Sequence, residues 1–153
     1  MLYIFMGQSC TGKSTVADKV KEITNAEIFT GKDYLRLAKS ESEACKLFYE
    51  KLSNVAENKD SVSEIIIYLI TEKSQLDRIM DIKGAYKVKF TATLDTVKSR
   101  FAQRMHGKLP PAVEKMIDKQ YEEWMNIEGD INVDTTIDGT EKIVDLIISY
   151  RKR

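Results

Sequence analysis

A glycine-rich octapeptide near the start of the chain constrains the possible fold more than any other stretch. It runs from Gly7 to Ser14 and fits the pattern G-x-x-x-x-G-K-[ST]. The apolar run 2–6 before it indicates a buried parallel strand. The apolar residues after it recur at helical spacing, at Val16, Ala17, Val20 and Ile23. A strand, a glycine loop and a helix in this order are the setting of a phosphate-binding P-loop.

The residue types in this loop match what a bound nucleoside triphosphate needs. Gly7 and Gly12 allow unusual backbone dihedrals and bring N–H groups close to an anion, and the helix that follows adds the positive end of its dipole. We expect Lys13 to contact the β and γ phosphates and the Ser14 hydroxyl to bind Mg²⁺. Thr15 is within reach of the α phosphate. The predicted nucleotide-binding residues are Gly7, Gln8, Ser9, Cys10, Thr11, Gly12, Lys13, Ser14 and Thr15.

Size and charge restrict the class of protein. At 153 residues, 1–153 is most simply one domain that buries about two-thirds of its unfolded surface. Its 24 basic and 24 acidic residues balance, so no overall attraction to nucleic acid is expected, and the basic end 151–153 is interpreted as a solvated helix terminus. No membrane-spanning run or signal peptide is indicated. Cys10 and Cys45 suggest neither a metal site nor a disulfide, which favours a reducing cytoplasm. Monomer and homodimer both stay open.

The rest of the chain alternates short apolar runs with amphipathic segments. Strands are predicted at 26–29, 65–70, 86–93 and 131–137, the third of these towards an edge of the sheet because its residues alternate with lysines. Helices are predicted from 43, from a cap at Thr71, from a cap at Asp95, from 111 or 112 to about 128, and from 140. This alternation predicts a three-layer α/β/α fold with a five-stranded parallel sheet.

Three polar stretches follow strands of this predicted sheet. The P-loop follows the first strand, the segment Asp33–Arg36 follows the second, and Thr71-Glu72 follows the third. Because ligands bind at the carboxyl ends of parallel strands, we expect these stretches to converge on one cleft. Asp33 and Arg36 are three residues apart at the start of a predicted helix, so their side chains can share a face.

These motifs resemble the small P-loop kinases of the nucleoside-monophosphate, shikimate and gluconate kinase group. The segment 30–36, T-G-K-D-Y-L-R, is similar to the T-G-D-x-L-R stretch of adenylate kinases with one residue inserted, and the arginine there holds the acceptor's phosphate. The helix ending in Arg100 and Arg104 is similar to the one that leads into the family's mobile lid, here about 104–112. The resemblance implies that these arginines contact ATP and the transferring phosphoryl group. It also implies that the loop after the strand 131–136 borders adenine.

The resemblance implies a phosphotransferase that uses ATP and Mg²⁺ to phosphorylate a small-molecule acceptor. Its candidate catalytic residues are Lys13, Arg100, Arg104 and Asp33. If the acceptor is a nucleoside monophosphate, Arg36 would grip its phosphate. If the acceptor is an alcohol, as in shikimate or gluconate kinases, Asp33 would orient the hydroxyl or take its proton. The rival interpretation is a nucleotide-binding regulatory protein with slow hydrolysis.

Two departures from the family pattern bear on these alternatives. The stretch Thr71-Glu72-Lys73 stands where adenylate kinases have a D-G-F-P-R-like sequence, so neither a second acceptor arginine nor a Walker B aspartate is identified. Glu72 is a candidate for the metal-water contact, or an acid that complements a helix dipole. The lid is also short and has no zinc-binding cysteines.

Cys10 has two interpretations within the P-loop. Surrounding N–H groups and a helix N-terminus lower the pKa of a thiol, which predicts faster alkylation at Cys10 than at Cys45 and protection by bound nucleotide. Alternatively, Cys10 is an inert residue at a permissive position of the motif.

Overall fold

The computed structural model describes residues 1–58 and 61–150, so the basic end 151–153 lies outside the described residues. The strands are β1 (Leu2–Met6), β2 (Glu27–Thr30), β3 (Ile66–Ile70), β4 (Tyr86–Thr91) and β5 (Ile131–Asp134). The helices are α1 (Lys13–Thr24), α2 (Glu41–Glu57), α3 (Lys73–Asp77), α4 (Leu94–Arg104), α5 (Pro111–Trp124) and α6 (Thr140–Ser149). A 3-10 helix, Asp33–Leu37, stands between β2 and α2.

The five strands form one parallel sheet in the order β2-β3-β1-β4-β5. The central strand β1 pairs with β3, with Leu2 opposite Ile66, and with β4, with Tyr3 opposite Tyr86. Every residue of β1 and β3 is buried, which accounts for their almost continuous apolar sequence, because strands covered on both faces need no polar side. The predicted five-stranded parallel sheet is confirmed.

Helices cover both faces of the sheet. On one face, α1 and α6 bury Val16, Val20 and Ile147 against a cluster that includes Phe5 and Phe90. On the other face, α2, α3 and α5 pack on alternate residues of β1 and β3, with the following side chains among those buried: Phe48, Leu52, Leu76 and Trp124. The three-layer α/β/α architecture is therefore as predicted. Among the described residues, no helix has both the length and the apolar character needed to cross a membrane.

The strand β4 is internal, whereas the sequence predicted a place towards an edge. It lies between β1 and β5, and Lys89 on its polar side is buried. The Lys89 ammonium donates to the backbone carbonyl of Trp124 at the end of α5. Lys89 is therefore accommodated beneath a helix end instead of at a solvated sheet edge.

Several predicted element ends are wrong for local reasons. The cap of α3 is Glu72, which forms a capping box with Gln75, and not Thr71. The cap of α4 is Thr93, whose hydroxyl accepts from the N–H of Thr96 at 3.2 Å. The helix α5 ends at Trp124, short of the predicted end near 128. The strand β5 ends at Asp134, three residues before Ile137, because the Asp134 carboxylate accepts from the Thr136 N–H and starts a turn. Ile23, predicted on the apolar face of the first helix, is 63% exposed, and Ile137, predicted in the last strand, is 79% exposed.

Candidate active site

The P-loop joins β1 to α1 through backbone conformations that explain its glycines. Gly7 has a φ of 143°, and a Cβ at this position would lie 2.3 Å from the carbonyl oxygen of Phe90. Gly12 has a φ of 87°, with Thr135 Cγ2 3.1 Å from where a Cβ would stand. Gly12 is also the N-cap of α1 and has no side chain to cap it, so the first N–H groups of that helix remain available to an anion.

Lys13 lies folded against its own loop. Its Nζ donates to the carbonyls of Gly7 and Gln8 at 2.6 and 2.8 Å, and the residue is only 6% exposed. Burial lowers the pKa of Lys13 to about 7, and the neighbouring Arg104 acts in the same direction. To reach the phosphates of a nucleotide, the ammonium must therefore exchange two carbonyl oxygens for phosphate oxygens.

A cavity of about 140 Å³, which we name the P-loop cavity, opens over this loop. It is lined by Ser9, Cys10, Gly12, Lys13, Ser14, Thr15, Thr30, Leu69, Thr71 and Arg104. The structure thus brings the P-loop together with the ends of β2 and β3, at Thr30 and Thr71. Ser14 and Thr15, expected to contact Mg²⁺ and the α phosphate, both line it.

A second cavity, the β5 cavity, extends from the P-loop to the loop after β5. It has a volume of about 320 Å³ and shares Cys10, Gly12, Thr15 and Arg104 with the P-loop cavity. Its remaining walls are Val16, Arg100, Thr135, Asp138, Gly139, Thr140 and Ile143. The kinase resemblance implies a base-binding role for this loop, and the loop indeed borders a space that is open to the P-loop.

The two arginines of α4 stand in different environments. Arg100 donates to the carbonyl of Cys10 at 2.9 Å, and to the hydroxyl and carbonyl of Thr135 at 2.9 and 3.2 Å. Its guanidinium thus ties the P-loop to the loop after β5. Arg104 lines both cavities and makes no hydrogen bond or ion pair within 1–58 and 61–150. Arg104 is therefore the arginine with donors available to a phosphate.

Both helices that flank the lid stretch are attached to the P-loop. Arg100 attaches α4, and Gln8 attaches α5, because the Gln8 side-chain amide donates to the carbonyl of Ile117 at 2.7 Å. The two helices are joined to each other by Lys98, which lies 3.2 Å from Glu114 and 3.1 Å from Asp118. The helices on either side of the predicted lid, 104–112, are therefore both hydrogen-bonded to the P-loop.

A third cavity, the β2–β3 cavity, lies beyond the P-loop cavity and has a volume of about 370 Å³. It is lined by Thr30, Gly31, Lys32, Tyr34, Tyr68, Leu69, Thr71, Glu72, Ser74, Gln75 and Arg78. The two cavities share the wall formed by Thr30, Leu69 and Thr71. This arrangement places a second ligand-sized space next to the P-loop cavity.

Asp33 and Arg36 do not line the β2–β3 cavity. The Asp33 carboxylate accepts from the N–H of Thr30 at 3.0 Å, which closes the turn after β2. Arg36 donates to Glu27 at 3.0 Å, and its guanidinium lies 4.4 Å above the centre of the Phe29 ring. Their predicted roles at the acceptor stay predictions, since both side chains are occupied by contacts around β2.

Arg78 is the residue that the sequence analysis missed. It follows the last turn of α3, lines the β2–β3 cavity, and is the arginine nearest to Arg36 on the C-terminal side in the sequence. Tyr68, also on this wall, has a pKa raised by burial, and the positive charge of Arg78 opposes that shift. The helix predicted from Thr71 gave no reason to place Arg78 at a cavity. In the structure Arg78 is the C-cap of α3 and has helical backbone dihedrals.

The residues expected to bind Mg²⁺ are separated by the structure. Ser14 is exposed in the P-loop cavity, whereas Glu72 caps α3 and lines the β2–β3 cavity. In the described part of the chain, no group of three or more His, Cys, Asp or Glu side chains is placed to hold a metal ion. Mg²⁺ that arrives with a nucleotide needs only one or two protein oxygens. The Ser14 hydroxyl fits that requirement, and a role for Glu72 stays a prediction.

The proposed activation of Cys10 is wrong. The residue is 6% exposed and packs with Ala92, Val97 and Ile117 in a cluster between the P-loop, α4 and α5. Burial raises the pKa of the thiol despite the opposing charges of Arg104, Arg100 and Lys13. The side chain is thus part of a small apolar core beside the loop, and Cys45 is the exposed cysteine.

Comparison with known proteins places this geometry in a fold family. No protein-family model and no curated protein matches the sequence. A sugar kinase from Janibacter sp. superposes with a TM-score of 0.63 at 17% identity, over 97% of this chain and 92% of that one. A gluconokinase from Sinorhizobium meliloti superposes with a TM-score of 0.60 at 16% identity, over 94% and 86%. The chain has the fold of the small P-loop kinases.

One neighbour of this kinase fold is closer in sequence. The YorR protein of Bacillus subtilis, solved in complex with phosphorylated GDP, is 26% identical with a TM-score of 0.61, over 97% of this chain and 94% of that one. The resemblance to small P-loop kinases that the sequence predicted is therefore confirmed in the tertiary structure.

Proposed function

We propose that the chain is a phosphotransferase that moves the γ-phosphoryl group of Mg-ATP to a small-molecule acceptor, and that this acceptor is a nucleoside monophosphate. The observation that carries the proposal is the wall of Thr30, Leu69 and Thr71 that the P-loop cavity and the β2–β3 cavity share. A phosphoryl donor in the P-loop cavity and an acceptor in the β2–β3 cavity would therefore lie next to each other at these shared residues. Phosphoryl transfer depends mainly on such positioning and on neutralising the phosphate charge.

The donor side is supplied by residues of the P-loop and of α4. The loop N–H groups and the start of α1 hold the phosphates, and the base lies in the β5 cavity. Lys13 and Arg104 are the cations that neutralise the charge developing on the transferred group. The Ser14 hydroxyl would hold the Mg²⁺ that accompanies the nucleotide, and the ion would supply positive charge against the phosphates.

The charges of the β2–β3 cavity support an anionic acceptor. Lys32 and Arg78 line it, against the single carboxylate of Glu72. An arginine recognises a phosphate through paired hydrogen bonds, and Arg78 has no ion pair within the described residues. The rings of Tyr34 and Tyr68 offer flat surfaces for a base or a sugar. The 26% identical YorR protein, solved with phosphorylated GDP, supports a nucleotide as ligand.

The proposal is tested by measuring ADP formation from Mg-ATP with a panel of acceptors. The panel contains the nucleoside and deoxynucleoside monophosphates, gluconate, shikimate and other small alcohols. We expect at least one monophosphate to raise the rate of ADP formation well above the rate without acceptor, and Lys13→Ala to abolish that increase. A slow hydrolysis rate that no member of the panel changes would support the nucleotide-binding regulatory protein instead.

A further inference from the structure

A fourth cavity lies apart from the three already described and shares no lining residue with them. Its volume is about 290 Å³, at the lower end of the range for small-molecule sites. It is bounded by the ends of β4 and β5, the last turn of α5, and the P-loop residues Gln8 and Thr11. The roles proposed above for ATP and its acceptor use none of this space.

The wall of this cavity contains a buried cation without a counter-ion. Lys89 is 6% exposed, and its ammonium donates to the backbone carbonyl of Trp124. It makes no ion pair with any described residue. Burial lowers the pKa of Lys89, and the negative charge of Glu128 opposes that shift. An ammonium has three N–H donors, and one carbonyl satisfies only one of them. A buried ammonium is costly unless it is paired, and an anion in the cavity would be a partner for the remaining donors and would favour the charged form.

The other walls restrict the chemistry of that anion. Asp134 lines the cavity and would repel a doubly charged group such as a phosphate monoester. Tyr121 and Trp124 are aromatic residues that line the cavity. The indole N–H of Trp124 already donates a hydrogen bond to the carbonyl of Thr71 at 2.8 Å. With that N–H occupied, the indole of Trp124 has no further donor to offer a ligand. A single negative charge on a flat, apolar body matches these walls.

We propose that this cavity binds a small monocarboxylate with a flat ring, its carboxylate on Lys89 and its ring against Tyr121 and Trp124. The ligand would also lie against the back of the P-loop. There Gln8 and Thr11 form the wall, and the Gln8 carbonyl accepts from both the Thr11 hydroxyl, at 2.6 Å, and Lys13, at 2.8 Å. The site is independent of the proposed phosphotransferase activity, so it can be tested whether or not an acceptor is found.

The test uses benzoate as the probe and benzamide as its neutral counterpart of the same shape. Trp124 is the only tryptophan in the chain, so its indole N–H signal in a nuclear magnetic resonance spectrum and its fluorescence both report on this wall. We expect a saturable change with benzoate in the low millimolar range and at least about tenfold weaker binding of benzamide. Saturating Mg-ATP should leave benzoate binding in place, because the cavities are separate.

Two variants complete the test. Lys89→Met should abolish the benzoate response, whereas Lys87→Met, on the same side of β4, should keep it. Equal binding of benzoate and benzamide by the unmodified chain would overturn the proposal, as would the absence of a saturable change. Displacement of benzoate by ATP would also overturn it, because it would mean that the anion occupies the P-loop. These outcomes are read on the unmodified chain and do not depend on whether Lys89→Met folds.

Discussion

Binding of ATP near neutral pH should take up a proton at Lys13. Without ligand, burial holds the pKa of Lys13 at about 7, well below its ordinary value of 10.5. Phosphate oxygens around the ammonium stabilise the charged form, so the pKa rises again in the complex. We therefore expect binding of Mg-ATP to take up protons wherever the free lysine is partly neutral.

The size of this effect follows from the pKa of the free lysine. At pH 8 about one-tenth of the free protein carries the ammonium, so binding takes up about 0.9 proton, compared with about 0.5 at pH 7 and about 0.1 at pH 6. Above pH 7 the affinity for ATP should fall by about tenfold per pH unit, which is about 1.4 kcal/mol. The nucleotide-free fold should respond in the opposite direction. Between pH 7 and 10.5 its unfolded state binds more protons, so its stability rises with pH through that range.

Isothermal titration calorimetry measures the proton directly. Mg-ATP is titrated at pH 8 in HEPES and in Tris, and the difference in binding enthalpy between the buffers gives the number of protons taken up. Lys13→Arg is the matched control, because arginine keeps its charge when buried and should give the same enthalpy in both buffers. A buffer-independent enthalpy for the unmodified chain at pH 8 would refute a lysine that is neutral before binding.

Three further predictions concern the acceptor, the loop and the cysteines. Arg78→Ala should raise the acceptor KM about 10- to 100-fold in the ADP-formation assay, since a hydrogen-bonded charge pair is worth about 1.5–3 kcal/mol. Arg36→Ala should change this KM by less than about twofold. The reverse pattern would restore the sequence-based assignment of Arg36 to the acceptor phosphate. Gly7→Ala should cost more than about 3 kcal/mol of unfolding free energy in urea denaturation, because its Cβ would meet a backbone carbonyl; a loss below about 1 kcal/mol would contradict that clash. Cys45 should be alkylated faster than Cys10 in mass-spectrometric labelling, because Cys10 is buried with a raised pKa; equal rates would mean that the cluster around Cys10 opens readily.

The sequence by itself determined the central strands of the sheet and the P-loop. Strands covered on both faces must be apolar throughout, and β1 and β3 therefore show in the sequence as continuous runs. The P-loop can be recognised because its requirements are local. Gly7 and Gly12 satisfy dihedral angles within one short segment, and Lys13 follows at a fixed spacing.

The tertiary structure alone decided which charged side chains line the cavities. Arg36 has the spacing of a phosphate contact but pairs with Glu27 of β2, whereas Arg78, the C-cap of α3, lines the β2–β3 cavity. Lys89 resembles an edge-strand lysine in the sequence, yet its partner is a carbonyl of Trp124, 35 residues further on. A sequence pattern reports the period of one element, whereas burial and pairing depend on which elements pack together. The direction of a side chain and its pKa are therefore set only by the packing of the helices on the sheet.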